Sequence, residues 1–223
     1  MNPHQIEAVR RRMVVEQLEK RGISDPRVLE ALQRVPRERY IQHVSQADAY
    51  ADRAWSIGCG QTISQPYIVA LMTQALELSG SEHVLEIGTG SGFQTAVLAE
   101  LAHDVVSIER FAELSTEASQ TLAAEGYKNV KLVVGDGTLG WPEDAPYDRI
   151  IVTAASRETP PPLWEQLNED GILVIPLGEH EGQVLRALRK RQGRPAETNL
   201  SPCRFVPLVG AQGWPVDEDA PPE

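Results

Sequence analysis

The residues of this chain best suited to chemistry are three glycines and the acids spaced around them. Residues 84–92, Val-Leu-Glu-Ile-Gly-Thr-Gly-Ser-Gly, carry an apolar run past Glu86 and turn it through Gly88, Gly90 and Gly92. A helical apolar periodicity then runs to Ala99, so the stretch reads as strand, tight turn, helix, the outline of a nucleotide-type cofactor site. A dinucleotide fingerprint has the spacing Gly-x-Gly-x-x-Gly, in which the third glycine allows close helix packing and the helix N-terminus faces a pyrophosphate. Phe93 stands where that last glycine would fall. The change favours S-adenosylmethionine, which has no phosphate to hold but needs backbone clearance for its methionine portion and ribose. Glu86, just before the turn, is placed to meet the ligand's ammonium region, and Glu109, at the end of the next strand-like run, to accept both ribose hydroxyls. A charged hydrogen bond of that kind is worth about 1.5–3 kcal/mol. Asp136, followed by Gly137 at the end of the third run, can meet the adenine amino group. Taken singly, such glycines are often plain turns and such acids merely solvated. What brings them together is the rule that parallel strands deliver their carboxyl ends to one crevice.

The elements that must position these residues alternate. Strand-like runs at residues 84–87, 105–108, 130–134, 148–153 and 171–175 are interleaved with helical patterns at 93–99 and 114–122. A short helix containing Leu163, Trp164 and Leu167 follows the break Thr159-Pro-Pro-Pro162. This alternation predicts an α/β fold with a doubly wound, mainly parallel, Rossmann-like sheet covered by helices on both faces. The end of the chain differs. Residues 184–188 and 204–209 are short strand-like runs with no helix between them, expected to pair as an antiparallel edge with the basic stretch 189–194 as the hairpin tip. Ahead of the core, Ile6, Val9, Met13 and Val14 mark a helix whose arginines, Arg10, Arg11 and Arg12, read as a solvated face. Asp25-Pro26 starts a second helix with Val28, Leu29, Leu32 and Val35 as its stripe, stopped by Pro36. The expected organisation is one domain over residues 1–223: an N-terminal helical layer (1–57), a core (58–214) and an acidic, proline-rich, frayed tail (215–223).

At 223 residues the chain suits a single domain of this class, and its net charge of −11 argues against phosphate-driven nucleic-acid binding. Cys59 and Cys203 have neither disulfide nor zinc spacing, so no metal is expected. No basic segment leads into an apolar one at the N-terminus, and no stretch is long and apolar enough to span a bilayer. A cytoplasmic protein with no membrane partner is expected, with a monomer as the default. The five histidines are scattered and read as surface or structural, and Trp141 and Trp214 as packing residues, with residues 210–214 able to close over a substrate.

Several motifs together are similar to those of the protein-L-isoaspartate O-methyltransferase family. They are the loop Gly60-Gln-Thr-Ile-Ser-Gln-Pro66, Leu85-Glu-Ile-Gly-Thr-Gly-Ser-Gly92, Ser107-Ile-Glu-Arg110, Gly135-Asp-Gly137, Ala145-Pro-Tyr-Asp148 with Val152-Thr-Ala-Ala155, and Phe205-Val-Pro-Leu-Val-Gly210. The glycine motif is shared by many methyltransferases, whereas the Gln-Thr-Ile-Ser-Gln-Pro loop is specific to this family. The resemblance runs from about Tyr40 to Trp214, and Ala54-Trp55-Ser56 and Ser156-Arg157 depart from it in ways that bear on substrate preference. It implies methyl transfer from S-adenosylmethionine to the free carboxylate of L-isoaspartyl residues in damaged proteins, a repair step that proceeds through a succinimide. It places the active-site serine at Ser64 and brings Thr62, Ile63, Thr153 and Val209 near the substrate. From the residues alone, Ser64 is equally suited to capping the helix that begins at Pro66. A substrate carboxylate is already ionised at neutral pH, so the chemistry asks for no general base, and no histidine is marked as one. The competing readings are a methyltransferase for RNA or a small molecule, and a non-catalytic cofactor-binding protein.

Overall fold

The computed structural model describes residues 1–179 and 181–215, so His180 and all but the first residue of the expected tail lie outside the described residues. Helix α1 (Pro3–Met13) starts from a capping box between Asn2 and Gln5 and runs on as a π-helical turn through Leu18. Helix α2 (Pro26–Arg34) starts as expected, with Asp25 accepting the Arg27 N–H and proline at the first helical position. Val28, Leu32 and Val35 are buried, while Leu29 is only half-buried. The arginine run is not uniformly solvated: Arg10 folds back to donate to Tyr50 Oη and to the carbonyls of Gln33 and Arg34.

A hairpin of β1 (Trp55–Gly58) and β2 (Gln61–Ile63) precedes helix α3 (Pro66–Ala75). The chain then alternates through β3 (His83–Ile87), α4 (Phe93–Ala99), β4 (Asp104–Glu109), α5 (Ala112–Ala124), β5 (Val130–Val134), β6 (Tyr147–Val152), α6 (Pro161–Gln166) and β7 (Leu167–Leu177). Strands β8 (Gln183–Arg191) and β9 (Arg194–Cys203) complete a seven-stranded sheet of order β5-β4-β3-β6-β7-β8-β9. The first five strands of that order are parallel, and β8 and β9 are antiparallel. Leu85 pairs with Val106 on one side and Ile150 on the other, and the winding direction reverses between β3 and β6. A crevice must open at the carboxyl ends of these two strands, because the connections leave them in opposite directions.

Strand alternation sorts β3 between two cores. Leu85 and Ile87 join Val106, Ile150 and Leu173 on one face, and Val84 joins the layer made by α3, α4 and the N-terminal helices on the other. Helix α4 is buried along its whole length.

Three boundaries differ from expectation. The irregular stretch before residue 58 contains β1. Leu167, expected in a helix, opens β7. The antiparallel partner of β8 is β9 at 194–203, with residues 204–209 lying outside the strands, and the basic stretch is mostly strand. Only Gln192 and Gly193, both at positive φ, form the tip. Most of β9 is exposed, so it buries no face that would have left an alternating apolar signature in the sequence.

Candidate functional site

The crevice at the β3/β6 switch point is a cavity that opens to solvent, with about 850 Å³ of empty space including its mouth. Thr62, Ile63, Ser64, Gly88, Gly90, Glu109, Gly137, Thr153 and Val209 all line it, as sequence reasoning expected of residues drawn from six separate segments. The turn after β3 is shaped by what a side chain would strike. Gly88 has φ +95°, and a Cβ there would stand 2.3 Å from Thr153 Oγ1; at Gly137 it would stand 2.4 Å from Ile87 Cγ2. At Gly90 the nearest atom is Ile57 of the hairpin, 3.3 Å away, so β1 folds down over the turn. Glu109 closes the same turn from β4, its carboxylate accepting the N–H of Gly90 at 2.9 Å and of Phe111 at 3.0 Å.

Glu86, Gly92 and Asp136 stand one layer back and do not line the cavity. Strand alternation sends Glu86 toward α4, where one carboxylate oxygen takes the hydroxyls of Thr95 and Ser107 at 2.5 and 2.6 Å and the other has no partner. Burial pushes its carboxyl up to about 8, the two hydroxyls working against that shift. Gly92, the residue before α4, brings that helix close to α5: a Cβ there would stand 3.2 Å from that of Ala118. Asp136 accepts the Thr138 N–H and hydroxyl and, from the far end of the chain, the Ala211 N–H at 2.7 Å. Partial burial pulls the other way, but these donors hold its carboxyl below the usual range. Asp136 thus ties residues 206–209, which line the cavity, to the end of β5. Residues 210–214 fold back beside that strip, with Trp214 buried and donating through its N–H to Leu208 and through its indole to Ala155.

A second, smaller cavity adjoins the first and shares Thr62, Ser64, Thr153 and Val206 with it. Its other walls include Ala54, Gln65, Cys203, Arg204 and Phe205. Ser64 therefore sits where the two meet. Its hydroxyl has no hydrogen-bond partner among the described residues, and α3 is preceded by Gln65 with no side-chain cap, so Ser64 does not cap the helix. Thr153, opposite, donates to the carbonyls of Ile87 and Gly88. Burial pushes the Cys203 thiol up to about 11, which disfavours the thiolate a nucleophile would need. His83 lies at the other end of β3, stacked on Tyr147 and bonded to Asp104, in a structural role.

Sequence reasoning missed the hairpin and the lining residues Phe93, Gln94 and 206–208. It also missed Arg37, which is completely buried beneath Ser64 and donates to its carbonyl at 2.7 Å. Nothing in the local pattern marks that arginine, because its neighbours Arg34 and Arg39 are ordinary exposed ones.

The family model of Protein-L-isoaspartate(D-aspartate) O-methyltransferase matches residues 9–213. A protein-L-isoaspartate O-methyltransferase from Dictyoglomus turgidum is 54% identical over 92% of this chain and 93% of its own length. One from Syntrophobacter fumaroxidans is also 54% identical, over 92% and 96%. Among solved structures, a protein-L-isoaspartate O-methyltransferase superposes with a TM-score of 0.82 at 29% identity, over 91% of this chain and 67% of that one. A putative Plasmodium falciparum member in complex with S-adenosyl-L-homocysteine gives 0.77 at 25%, over 88% and 96%. The cavity, its glycine turn and the loop around Ser64 are therefore those of a chain that belongs to the protein-L-isoaspartate(D-aspartate) O-methyltransferase family.

Proposed function

We propose that this chain methylates the free carboxylate of L-isoaspartyl residues in damaged proteins, with Ser64 orienting that carboxylate between the two cavities. The observation that carries the assignment of Ser64 is its unpartnered hydroxyl at the junction, backed by a family loop and freed from any capping duty.

S-adenosylmethionine supplies an electrophilic methyl group on a sulfonium. The residues present fit it: a glycine turn, close-packed against Thr153 and Ile57, that presents bare backbone at Gly88 and Gly90 to the cavity, and Glu109 at the cavity wall for the ribose hydroxyls. Gly137 and the segment 206–209 form the wall beyond Glu109, where the base would rest. Glu86 acts on the turn through Thr95 and Ser107 rather than on the ligand's ammonium, and Asp136 through the chain segment it anchors.

The substrate carboxylate enters from the smaller cavity, accepts the Ser64 hydroxyl and faces the larger one past Thr62 and Thr153. One of its oxygens forms a C–O bond to the methyl carbon as the C–S bond breaks, and the electron pair of that bond stays on sulfur. No proton moves, so no general base is needed. Alignment of oxygen, carbon and sulfur is the main resource available, and it can supply about 7–11 kcal/mol. The methyl ester then closes to a succinimide with loss of methanol, and hydrolysis returns part of the material as ordinary aspartate.

Net charge −11 supports a protein substrate over RNA, and the chain is read as a monomer. A cytoplasmic setting accords with the two free cysteines, and no helix among the described residues is long and apolar enough to cross a membrane. The decisive assay supplies labelled S-adenosylmethionine with matched isoaspartyl and aspartyl peptides. Base-labile label and methanol are expected from the isoaspartyl peptide alone, and equal labelling of both would refute the substrate assignment.

A further inference from the structure

Arg37 follows Pro36 in a short 3-10 turn of the N-terminal layer, and its side chain is wholly buried. Its guanidinium donates from Nε to the Ala49 carbonyl at 2.8 Å and from Nη2 to the Ser64 carbonyl at 2.7 Å, and lies 4.8 Å from the centre of the Phe93 ring. Phe93 lines the larger cavity, so one side chain reaches the substrate-side serine and the cofactor-side aromatic together. Nη1 has no partner, and no carboxylate lies within ion-pair distance of Arg37 among the described residues. Burial accordingly pulls its ionisation down, to about 9, which leaves it charged at neutral pH.

Two carbonyls, the Phe93 ring and the more distant charge of Asp52 offset part of the burial of this guanidinium. With no carboxylate in ion-pair contact it is still an expensive way to brace a loop, since charges removed from water cost several kcal/mol unless fully compensated. A group that is kept in so costly a state calls for a reason beyond packing. The position of this one supplies it: the charge lies directly behind the residue that faces an anionic substrate.

We propose that Arg37 is a positioning residue for the methyl transfer, fixing Ser64 through its carbonyl and presenting positive charge behind the site of the substrate carboxylate. The inference rests on the reading of Ser64 given above. The two contributions separate in the kinetics. The substrate carboxylate loses its charge as the ester forms, so a cation behind it favours bound substrate over the transition state and acts on KM. The rigid hold on the Ser64 backbone acts on alignment and so on kcat.

The test uses Arg37→Lys and Arg37→Gln, each alone and combined with Ser64→Ala. Isoaspartyl-peptide kinetics are followed with enzyme in excess so that slow variants remain readable, and S-adenosylhomocysteine affinity is measured by calorimetry. Lysine keeps the charge but cannot span both carbonyls with a planar fork. Arg37→Lys should lower kcat about tenfold with KM within twofold, whereas Arg37→Gln should lower kcat and also raise KM severalfold. In both, S-adenosylhomocysteine affinity should stay within twofold. In the Ser64→Ala background the same substitutions should cost less than threefold in kcat, because the hydroxyl they act through is gone. Equal costs in both backgrounds, or a matching loss of S-adenosylhomocysteine affinity, would overturn the proposal in favour of a general structural brace. If Ser64→Ala alone leaves turnover unchanged, the reading of Ser64 fails first and the route assigned to Arg37 falls with it. Should the glutamine variant not fold, the lysine variant carries the kcat, affinity and background comparisons by itself.

Discussion

Replacing Glu109 with glutamine separates its hold on the glycine turn from the contact proposed with the ribose. Both carboxylate oxygens already accept a backbone N–H, from Gly90 at 2.9 Å and Phe111 at 3.0 Å, in a residue that is 5% exposed. Each oxygen retains a second lone pair, and these are what the ribose hydroxyls would use. In the amide, one oxygen becomes an NH₂ group that confronts a backbone N–H with a donor of its own. The substitution therefore breaks one charged hydrogen bond within the protein and at least one to the ligand. The internal loss falls on the apo protein, and the ligand loss on affinity. A charged hydrogen bond is worth about 1.5–3 kcal/mol, which corresponds to a roughly 10- to 150-fold weaker affinity. Titration calorimetry with S-adenosylhomocysteine measures it directly, and unfolding of the apo variant in urea measures the internal share. Wild-type affinity in a destabilised variant would show that Glu109 only staples the glycine turn to α5, and would remove the ribose assignment.

Three further substitutions address the supports of the cavity. Gly88→Ala combines a positive-φ penalty of about 1–2 kcal/mol with the displacement of Thr153, whose hydroxyl hydrogen bond is worth about 0.5–1.5 kcal/mol; urea unfolding should show a loss near 2–3 kcal/mol, and a loss below about 0.5 would contradict the packing described. Glu86 should make stability depend on pH: its carboxyl is raised from 4.5 to about 8 on folding, so the native state holds the extra proton, and stability present below pH 4.5 is lost as pH rises toward 8. Glu86→Gln should therefore gain on the wild type between pH 6 and 8, by at most about 1.4 kcal/mol per pH unit, and a constant difference in urea melts would refute it. Asp136→Asn turns one acceptor into a donor facing either Thr138 or Ala211, which should loosen residues 206–209 and raise the peptide KM severalfold; an unchanged KM would mean that segment holds its place without Asp136.

Legibility in the sequence followed burial. The inner parallel strands announced themselves because they are apolar runs buried on both faces, β5 at the edge because it is apolar although only half-buried, and the glycine turn because only glycine tolerates its backbone and its close neighbours. Edge strand β9 was hidden by its exposure, and residues 204–209 mimicked a strand because part of that apolar run, 206–209, lines the cavity. Glu86 and Asp136 were correctly located along the chain, but which way a side chain points depends on strand alternation and on contacts made from 75 residues away, as between Asp136 and Ala211. Ser64 lay open between capping and function until the position of the helix start excluded capping.

The distribution of charge ties these parts to the reaction. Methyl transfer to a carboxylate consumes a negative and a positive charge together, so a site that strongly solvated either one would hold the reactants apart from the transition state. Among the described residues Glu109 is the one acid lining the larger cavity, and that carboxylate is committed to two backbone N–H groups and placed at the strand end, away from Ser64 on the opposite loop. Glu86, two residues before the glycine turn, is buried behind it with a carboxyl raised to about 8, and so is largely uncharged at neutral pH. On the other side the guanidinium of Arg37 reaches the serine only through a carbonyl, at one remove from any substrate oxygen. Arg110 lines the larger cavity and Arg204 the smaller one, while neutral groups, the hydroxyls of Ser64, Thr62 and Thr153, line the passage between them. That arrangement leaves the carboxylate ionised enough to bind and lightly held enough to attack, which is what a methylation without a base requires.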